Sequence, residues 1–330
     1  MFTSKELMKM FRLLLQVMLV TAPLQLALAT TNSVAILRAD WLDAKRARTV
    51  PVKIYYPQSG GPFPVLIFSH GLGGSREGYE YLGRYWAAHG YVSVHLQHAG
   101  SDAAVWQDKP VAELKTSLRQ AAAQLDNATN RPLDVSFAID QLEKWNREES
   151  PLHHKLDLAR LGVAGHSFGA FTTLAVAGQV FIAPGDRETS YGDPRVRAAI
   201  AMSSPVPARK ETFDRAFGKI KIPVLHMTGT EDYSPIGETR PADRRVPFDH
   251  SHGAEQYLLT LTGGDHSVFG GVARGVTPAK EKQFKELICE SSTAFWDAYL
   301  KGDAPARAWL TNDFKTALGP DGTFEFKPRP

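Results

Sequence analysis

The sequence predicts an α/β protein with a mostly parallel central sheet flanked by helices on both faces, and three observations carry that prediction. Short, nearly continuous apolar runs, such as residues 63–69 and 161–164, alternate along the chain with longer segments of helical spacing. That rhythm is the signature of parallel strands buried on both faces. Glycine-rich turns directly follow two of these runs, at residues 71–74 and 165–169, and two later runs end beside Asp232 and His266. In open α/β sheets, ligands sit outside the carboxyl ends of the strands, where these residues fall.

With 330 residues, 43% of them apolar and 22% charged, the chain can bury a full core, which excludes a disordered or low-complexity protein. Residues 1–29 are read as a secretory signal. Lys5, Lys9 and Arg12 form a basic start, residues 13–28 are mostly apolar, and Ala27-Leu28-Ala29 is a small-residue cleavage site. Gln16, Pro23 and Gln25 interrupt the apolar run, so it falls short of the ~20 clean residues that a membrane span needs. Cleavage after Ala29 removes three basic residues and one acidic residue from a chain of net charge +3, leaving +1. A balance so near neutrality gives no footprint for nucleic acid or an anionic membrane surface. Cys289 is the single cysteine, so an internal disulfide is excluded and a buried structural thiol is expected. The remainder, residues 30–330, is expected to form one domain.

Taken in order, residues 34–40 and 49–56 are rich in β-branched and aromatic side chains and predict an antiparallel pair. Residues 63–69 predict a central strand, 79–89 a helix stopped by Gly90, and 91–96 the next strand. Residues 111–125 and 133–147 predict helices, the second opening at Arg131-Pro132. After the segment around Ser167, residues 179–194 are expected to be loop, 196–202, 222–228 and 255–261 strands, and 277–300 a long helix. A short amphipathic piece at 306–318 and an extended tail at 322–327 close the chain. The connection at 233–253 has three prolines and many charges. It is expected to form a semi-rigid polar rim near the site, too polar to pack as core.

The stretch with the clearest chemistry is Gly165-His166-Ser167-Phe168-Gly169, fed by an apolar strand and opening onto an Ala-rich helix. A serine hydroxyl is a weak nucleophile and must be held clear of its backbone, within reach of a base. A strand–turn–helix elbow does this, and its sharpness requires Gly165 and Gly169. Ser167 is the candidate nucleophile. The base and the orienting carboxylate are expected on later loops, where His266 and Asp232 stand. Glu231 is adjacent to Asp232 and would point elsewhere, and Asp265 is too close to His266 in sequence to orient its ring. His70 and His166 are expected to be structural hydrogen-bonders. His95/His98, His153/His154 and His250/His252 lack a third ligand at recognisable spacing, so no metal and no cofactor are expected.

The run from residue 63 through His70-Gly71-Leu72-Gly73-Gly74-Ser75 to Gly90-Tyr91-Val92, together with the elbow, resembles the α/β-hydrolase superfamily. The likeness is to bacterial dienelactone-hydrolase-like and platelet-activating-factor-acetylhydrolase-like serine esterases. It implies an α/β-hydrolase fold, with the backbone N–H groups of Leu72 and Phe168 as oxyanion donors and Gly71 and Gly73 shaping the loop. Two departures stand out. Dienelactone hydrolases use a cysteine where Ser167 stands. The acetylhydrolases carry their acid just after the strand following the nucleophile helix, where residues 199–205 offer no carboxylate, which moves the acid to Asp232. The expectation is therefore an exported, periplasmic or secreted serine carboxylester hydrolase acting on small or short-acyl esters. A phospholipase-like acetylhydrolase and an inactive hydrolase-fold binding protein are the alternatives.

Overall fold

The computed structural model describes residues 32–183 and 185–329. The expected signal, residues 1–29, lies outside the described residues.

Side chains alternate across a strand, so the central run β3 (Phe63–Ser69) feeds two cores at once. Val65 and Ile67 face Val135, Ile139 and Leu142. Leu66 and Phe68 face Leu82, Trp86 and Trp296 on the opposite side. This double burial is why the run carries so little polarity.

The antiparallel hairpin of β1 (Val34–Asp43) and β2 (Arg48–Pro57) leads into β3, then α1 (Glu80–Ala88) and β4 (Val92–Leu96). Next come α2 (Val111–Ala123), α3 (Leu125–Arg147), β5 (Leu156–His166) and α4 (Phe168–Val176). A small hairpin, β6 (Val180–Ile182) and β7 (Glu188–Ser190), precedes β8 (Val196–Met202) and α5 (Phe213–Phe217). Then follow β9 (Val224–Glu231), α6 (Val246–His250) and β10 (Gln256–Asp265). The chain closes with α7 (Pro278–Trp296), α8 (Ala304–Ala308), α9 (Phe314–Leu318) and β11 (Gly322–Lys327).

Nine strands form the main sheet in the order β1-β2-β4-β3-β5-β8-β9-β10-β11. The central strands from β4 to β10 run parallel, and antiparallel strands flank them at both ends. The chain moves from β3 outward to β4, then returns to place β5 on the other side of β3. The carboxyl ends of β3 and β5 are thus a topological switch point, the position where such sheets open a crevice. Helices α1 and α7 cover one face and α3 and α4 the other. Among the described residues no helix is long and apolar enough to cross a membrane. Cys289 is buried, which pushes its thiol up to about 12 and leaves it unreactive.

Three segments differ from expectation. Helix α3 begins at Leu125, with Pro132 inside it, because the polar side chains of Asn127 and Arg131 are buried and hydrogen-bonded and hold the turns that proline weakens. Residues 179–194 hold the β6–β7 hairpin, not only loop. The 233–253 connection contains a 3₁₀ turn (Pro241–Arg245) and α6, and it buries Arg244, Pro247 and Phe248. Its charges did not keep it out of the interior, because the buried guanidinium finds acceptors there.

The C-terminal strand β11 pairs with β10, the strand that leads to His266. Phe324 is buried, with its ring 4.8 Å from Phe314 and 5.8 Å from Tyr257. Phe324→Ala should destabilise the protein by about 3 kcal/mol through lost burial and the cavity left behind. Thermal or urea unfolding checks this, and an unchanged midpoint would show that the tail is not part of the core.

Candidate active site

Strand β5 ends at His166 and α4 starts at Phe168, so Ser167 alone makes the turn, at φ 56° and ψ −116°. Positive φ is costly for a residue with a side chain and is held here by its surroundings. Ser167 N–H donates to Met202 O at 2.8 Å, pinning the turn to β8. The turn closes so tightly that a Cβ on Gly169 would run into the carbonyl oxygen of Ser69, and one on Gly165 into that of Gly169.

The structure brings Ser167, His266 and Asp232 into one hydrogen-bonded line. His266 Nε2 lies 2.9 Å from Ser167 Oγ and His266 Nδ1 2.7 Å from Asp232 Oδ1. Asp232 is fully buried just past β9. Burial alone would raise its carboxyl pKa, but the hydrogen bond from His266 and the charge of Arg244 override that, and it lies below its ordinary value. Thr228 Oγ1 donates to its other oxygen at 2.9 Å. Glu231 is exposed, and Asp265 accepts from Ser267 Oγ at 2.7 Å.

The loop after β3 faces this line. Gly73 N–H donates to Ser101 O at 2.9 Å and Gly74 N–H to Gly71 O at 3.0 Å, fixing the backbone beyond Leu72. Gly73 has φ +74°, and an added Cβ would press on Trp106, whose Nε1–H donates to Gly73 O at 2.7 Å. Among the described residues, the backbone N–H groups of Leu72 and Phe168 meet no acceptor. Gly71, Leu72, Ser167 and His266 line a cleft of about 230 Å³, closed by Leu118, Pro235 and Ile236. A second hollow of about 540 Å³, lined by Tyr233, Val272 and Arg274, shares Tyr79, His166, Pro235 and His266 with the first. Of the 233–253 segment only its opening residues, 233–236, line these spaces.

Two arginines that the sequence did not single out hold the site from below. Arg131, fully buried, donates to Ser69 Oγ (3.0 Å), Ser101 Oγ (2.9 Å), Thr172 Oγ1 (2.9 Å) and the carbonyl of His70, and covers the Phe168 ring. Burial pulls its pKa down to about 9, so it keeps its charge at neutral pH. Ser69 in turn lies 2.9 Å from His98 Nε2, and His98 Nδ1 2.9 Å from Asp134, which is paired with Arg46 and Arg48. This is a second Ser-His-Asp chain, but it is fully buried and therefore structural. The legible signal was Asn127, Arg131 and Asp134 at helical spacing on the face that continues as Val135, Ala138 and Ile139.

Arg244 is the other. Its Nη2 reaches Asp232 Oδ1 at 3.2 Å, its Nη1 donates to the carbonyls of Ser203 and Ser204 at 3.0 Å each, and its Nε donates to Asp232 O at 3.2 Å. Nη2 also approaches His266 Nδ1 at 3.3 Å. Both are donors when His266 Nδ1–H donates to Asp232, so this is proximity and not a bond.

His166 and His70 occupy supporting places. Tyr79, in the left-handed region at φ 60°, places its hydroxyl 2.8 Å from His166 Nδ1 and accepts from Gly71 N–H at 3.4 Å. His70 donates to Gly71 O at 2.6 Å and accepts from His98 N–H at 3.1 Å. Among the described residues no three His, Cys, Asp or Glu side chains cluster to hold a metal ion.

The sheet order, the elbow at its switch point and the loops that follow β9 and β10 are those of an α/β-hydrolase. The comparisons agree with that class. The family described as platelet-activating factor acetylhydrolase, isoform II, matches residues 47–128. Platelet-activating factor acetylhydrolase of Cavia porcellus is 25% identical over 295 residues, covering 79% of this chain and 63% of the relative. That of Bos taurus is 22% identical over 241 residues, covering 64% and 49%. Cutinase 1 of Thermobifida cellulosilytica is 29% identical over 126 residues, 38% of each chain. The chain spans less than two thirds of the length of these curated relatives.

Burial holds several histidines neutral. Desolvation brings His98 and His226 down to about 4 and His95 to about 3, and depresses His70 and His166 as well. Between about pH 6.5 and 4 the unfolded chain binds protons at these positions that the folded chain refuses, so stability falls as pH drops through that window. Thermal melts between pH 7.5 and 4.5 should show a steadily falling Tm; a flat profile would mean these rings are not neutral in the folded state.

Proposed function

We propose that the chain is an exported serine carboxylester hydrolase that acts on small or short-acyl esters through an acyl-enzyme. The observation that carries this reading is the unbroken line Ser167–His266–Asp232 at a cleft where two backbone N–H groups stand free. In the proposed reaction His266 Nε2 takes the Ser167 hydroxyl proton as Oγ attacks the ester carbonyl, and the oxyanion is received by the N–H groups of Leu72 and Phe168. Asp232 keeps the Nδ1–H tautomer and stabilises the imidazolium. Collapse of the tetrahedral species breaks the bond to the alcohol, which leaves with the proton from His266. Water then repeats the sequence on the acyl-Ser167 and releases the carboxylic acid.

The small volume beside Leu72, closed by Leu118 and Ile236, supports a short acyl group. The similarity to platelet-activating factor acetylhydrolases along most of this chain favours a second reading, an acetylhydrolase of short-chain or oxidised phospholipids, with the alcohol side in the larger hollow. Hydrogen-bonded continuity of all three side chains weighs against an inactive binding protein. Export rests on the composition of residues 1–29.

A fluorophosphonate probe should label the wild type and not Ser167→Ala. On an acetyl ester, Ser167→Ala, His266→Ala and Asp232→Asn should each lower kcat by roughly 10⁴, while Glu231→Gln should have little effect. Falling rates along an ester panel of increasing acyl length would support the short-acyl reading. Near-wild-type turnover in any of the three, or a rise in rate with acyl length, would contradict it.

Arg244 is proposed as a positioning residue, since it touches Asp232 and not the reacting atoms. Arg244→Met should reduce kcat by roughly 10²-fold with KM little changed, because the carboxylate loses its anchor to the end of β8. Arg244→Lys should recover only part of the loss, as an ammonium cannot reach the same acceptors together. Full recovery with lysine would show that only the charge matters.

A further inference from the structure

A cavity lies away from Ser167, Asp232 and His266. About 790 Å³ opens between α4, the amino end of α3, the β6–β7 hairpin and the segment before α5, and none of Ser167, Asp232, His266 or Leu72 lines it. This volume falls within the range of small-molecule sites. Phe171, Phe181 and Tyr191 form a continuous aromatic wall, with centroids 4.9 and 5.8 Å apart, and Leu125, Val180 and Ile182 extend the apolar lining.

Polar groups are few, and two of them are unused. Gln179 lines the cavity, and its side-chain amide makes no hydrogen bond among the described residues but stays accessible from the cavity. An amide open to the cavity can both donate to and accept from a ligand there. Arg187, also lining the cavity, is exposed and makes no ion pair among the described residues. Its neighbours are engaged: Arg209 bonds Glu211 at 2.9 Å, and Arg215 lies 3.1 Å from Glu188 and 3.3 Å from Asp186. An apolar body, an accessible hydrogen-bonding group and an exposed cation without an ion-pair partner among the described residues define the chemistry of an amphiphile with an anionic head.

We infer that this cavity is a second binding site, separate from the triad cleft, for an alkyl-chain carboxylate whose chain lies along Phe171, Phe181 and Tyr191 and whose head meets Arg187. The inference does not depend on the hydrolase reading. The wall does belong to the nucleophile helix, since Phe171 N–H donates to Ser167 O at 3.1 Å.

Dodecanoate, kept below its micelle concentration and titrated by calorimetry into the wild-type protein, should bind at one site. Ala128→Trp, which fills the cavity from α3, should weaken binding at least tenfold. Arg187→Glu, a change to an exposed side chain that leaves the core untouched, should do the same. Dodecanol should bind wild type and Arg187→Glu alike. Prior reaction with a fluorophosphonate, which occupies only the Ser167 cleft, should leave dodecanoate binding intact. No binding, undiminished binding by Ala128→Trp or Arg187→Glu at wild-type melting temperature, or loss after fluorophosphonate labelling would each overturn the inference.

Discussion

The contact on which the site depends is the approach of two backbones at the carboxyl ends of β3 and β5. The amino end of α4 lies so close to the turn after β3 that only a glycine at 169 clears the carbonyl of Ser69. This closeness sets the loop after β3 and the turn at Ser167 beside each other, so that Leu72 and Ser167 line one cleft. Backbone forced together at strand ends leaves carbonyls with no ladder partner. Arg131 supplies a donor to one of them, the carbonyl of His70, and with its other N–H groups reaches the hydroxyls of Ser69 at the β3 end, Ser101 and Thr172 in the first turns of α4. A planar, permanently charged fork suits that task, since one side chain satisfies several fixed acceptors.

A buried cation carries its own desolvation cost, and the fold answers it with a graded chain of charge. Arg131 meets neutral Ser69, Ser69 meets a neutral His98, and His98 meets the ionised Asp134. Asp134 is answered near the surface by Arg46 and Arg48 from the β1–β2 hairpin. The antiparallel strands at that end of the sheet are therefore more than an edge cover. They supply the outer ends of a polar network that begins under the loop after β3. Neutral histidines inside this network let it carry hydrogen bonds without adding further buried charge.

Much of the architecture was legible because it followed from local patterns. Residues 63–69 read as a buried strand from unbroken apolarity, and the strand proved to have those bounds. The pentapeptide around Ser167 read as a strand–turn–helix from two glycines and the Ala-rich run behind them, and Ser167 does occupy that turn. The start of α3 was missed because Pro132 reads as a helix opening, and only the tertiary partners of Asn127 and Arg131 explain why the helix passes through it. Arg131 and Arg244 were missed for a related reason. The spacing of Arg131 with Asn127 and Asp134 marks a buried helix face but not its distant partners, and nothing local to Arg244 shows that the carbonyls of Ser203 and Ser204 will converge on it.

Arg244 also explains how the carboxylate works from its place. The end of β8 offers no acid; it offers Ser203, at φ 56°, and Ser204, with their carbonyl oxygens turned inward. Asp232, one strand further on, must be held against a histidine that arrives from yet another strand. Thr228 holds one carboxylate oxygen from within β9, but a single hydrogen bond leaves a short side chain free to swing. Arg244 closes the remaining freedom by tying Asp232 to the β8 end through one guanidinium. The 233–253 segment leaves β9 beside Asp232 and returns its one buried cation to that same carboxylate. Its length is what allows the chain to come back to the acid from outside the sheet.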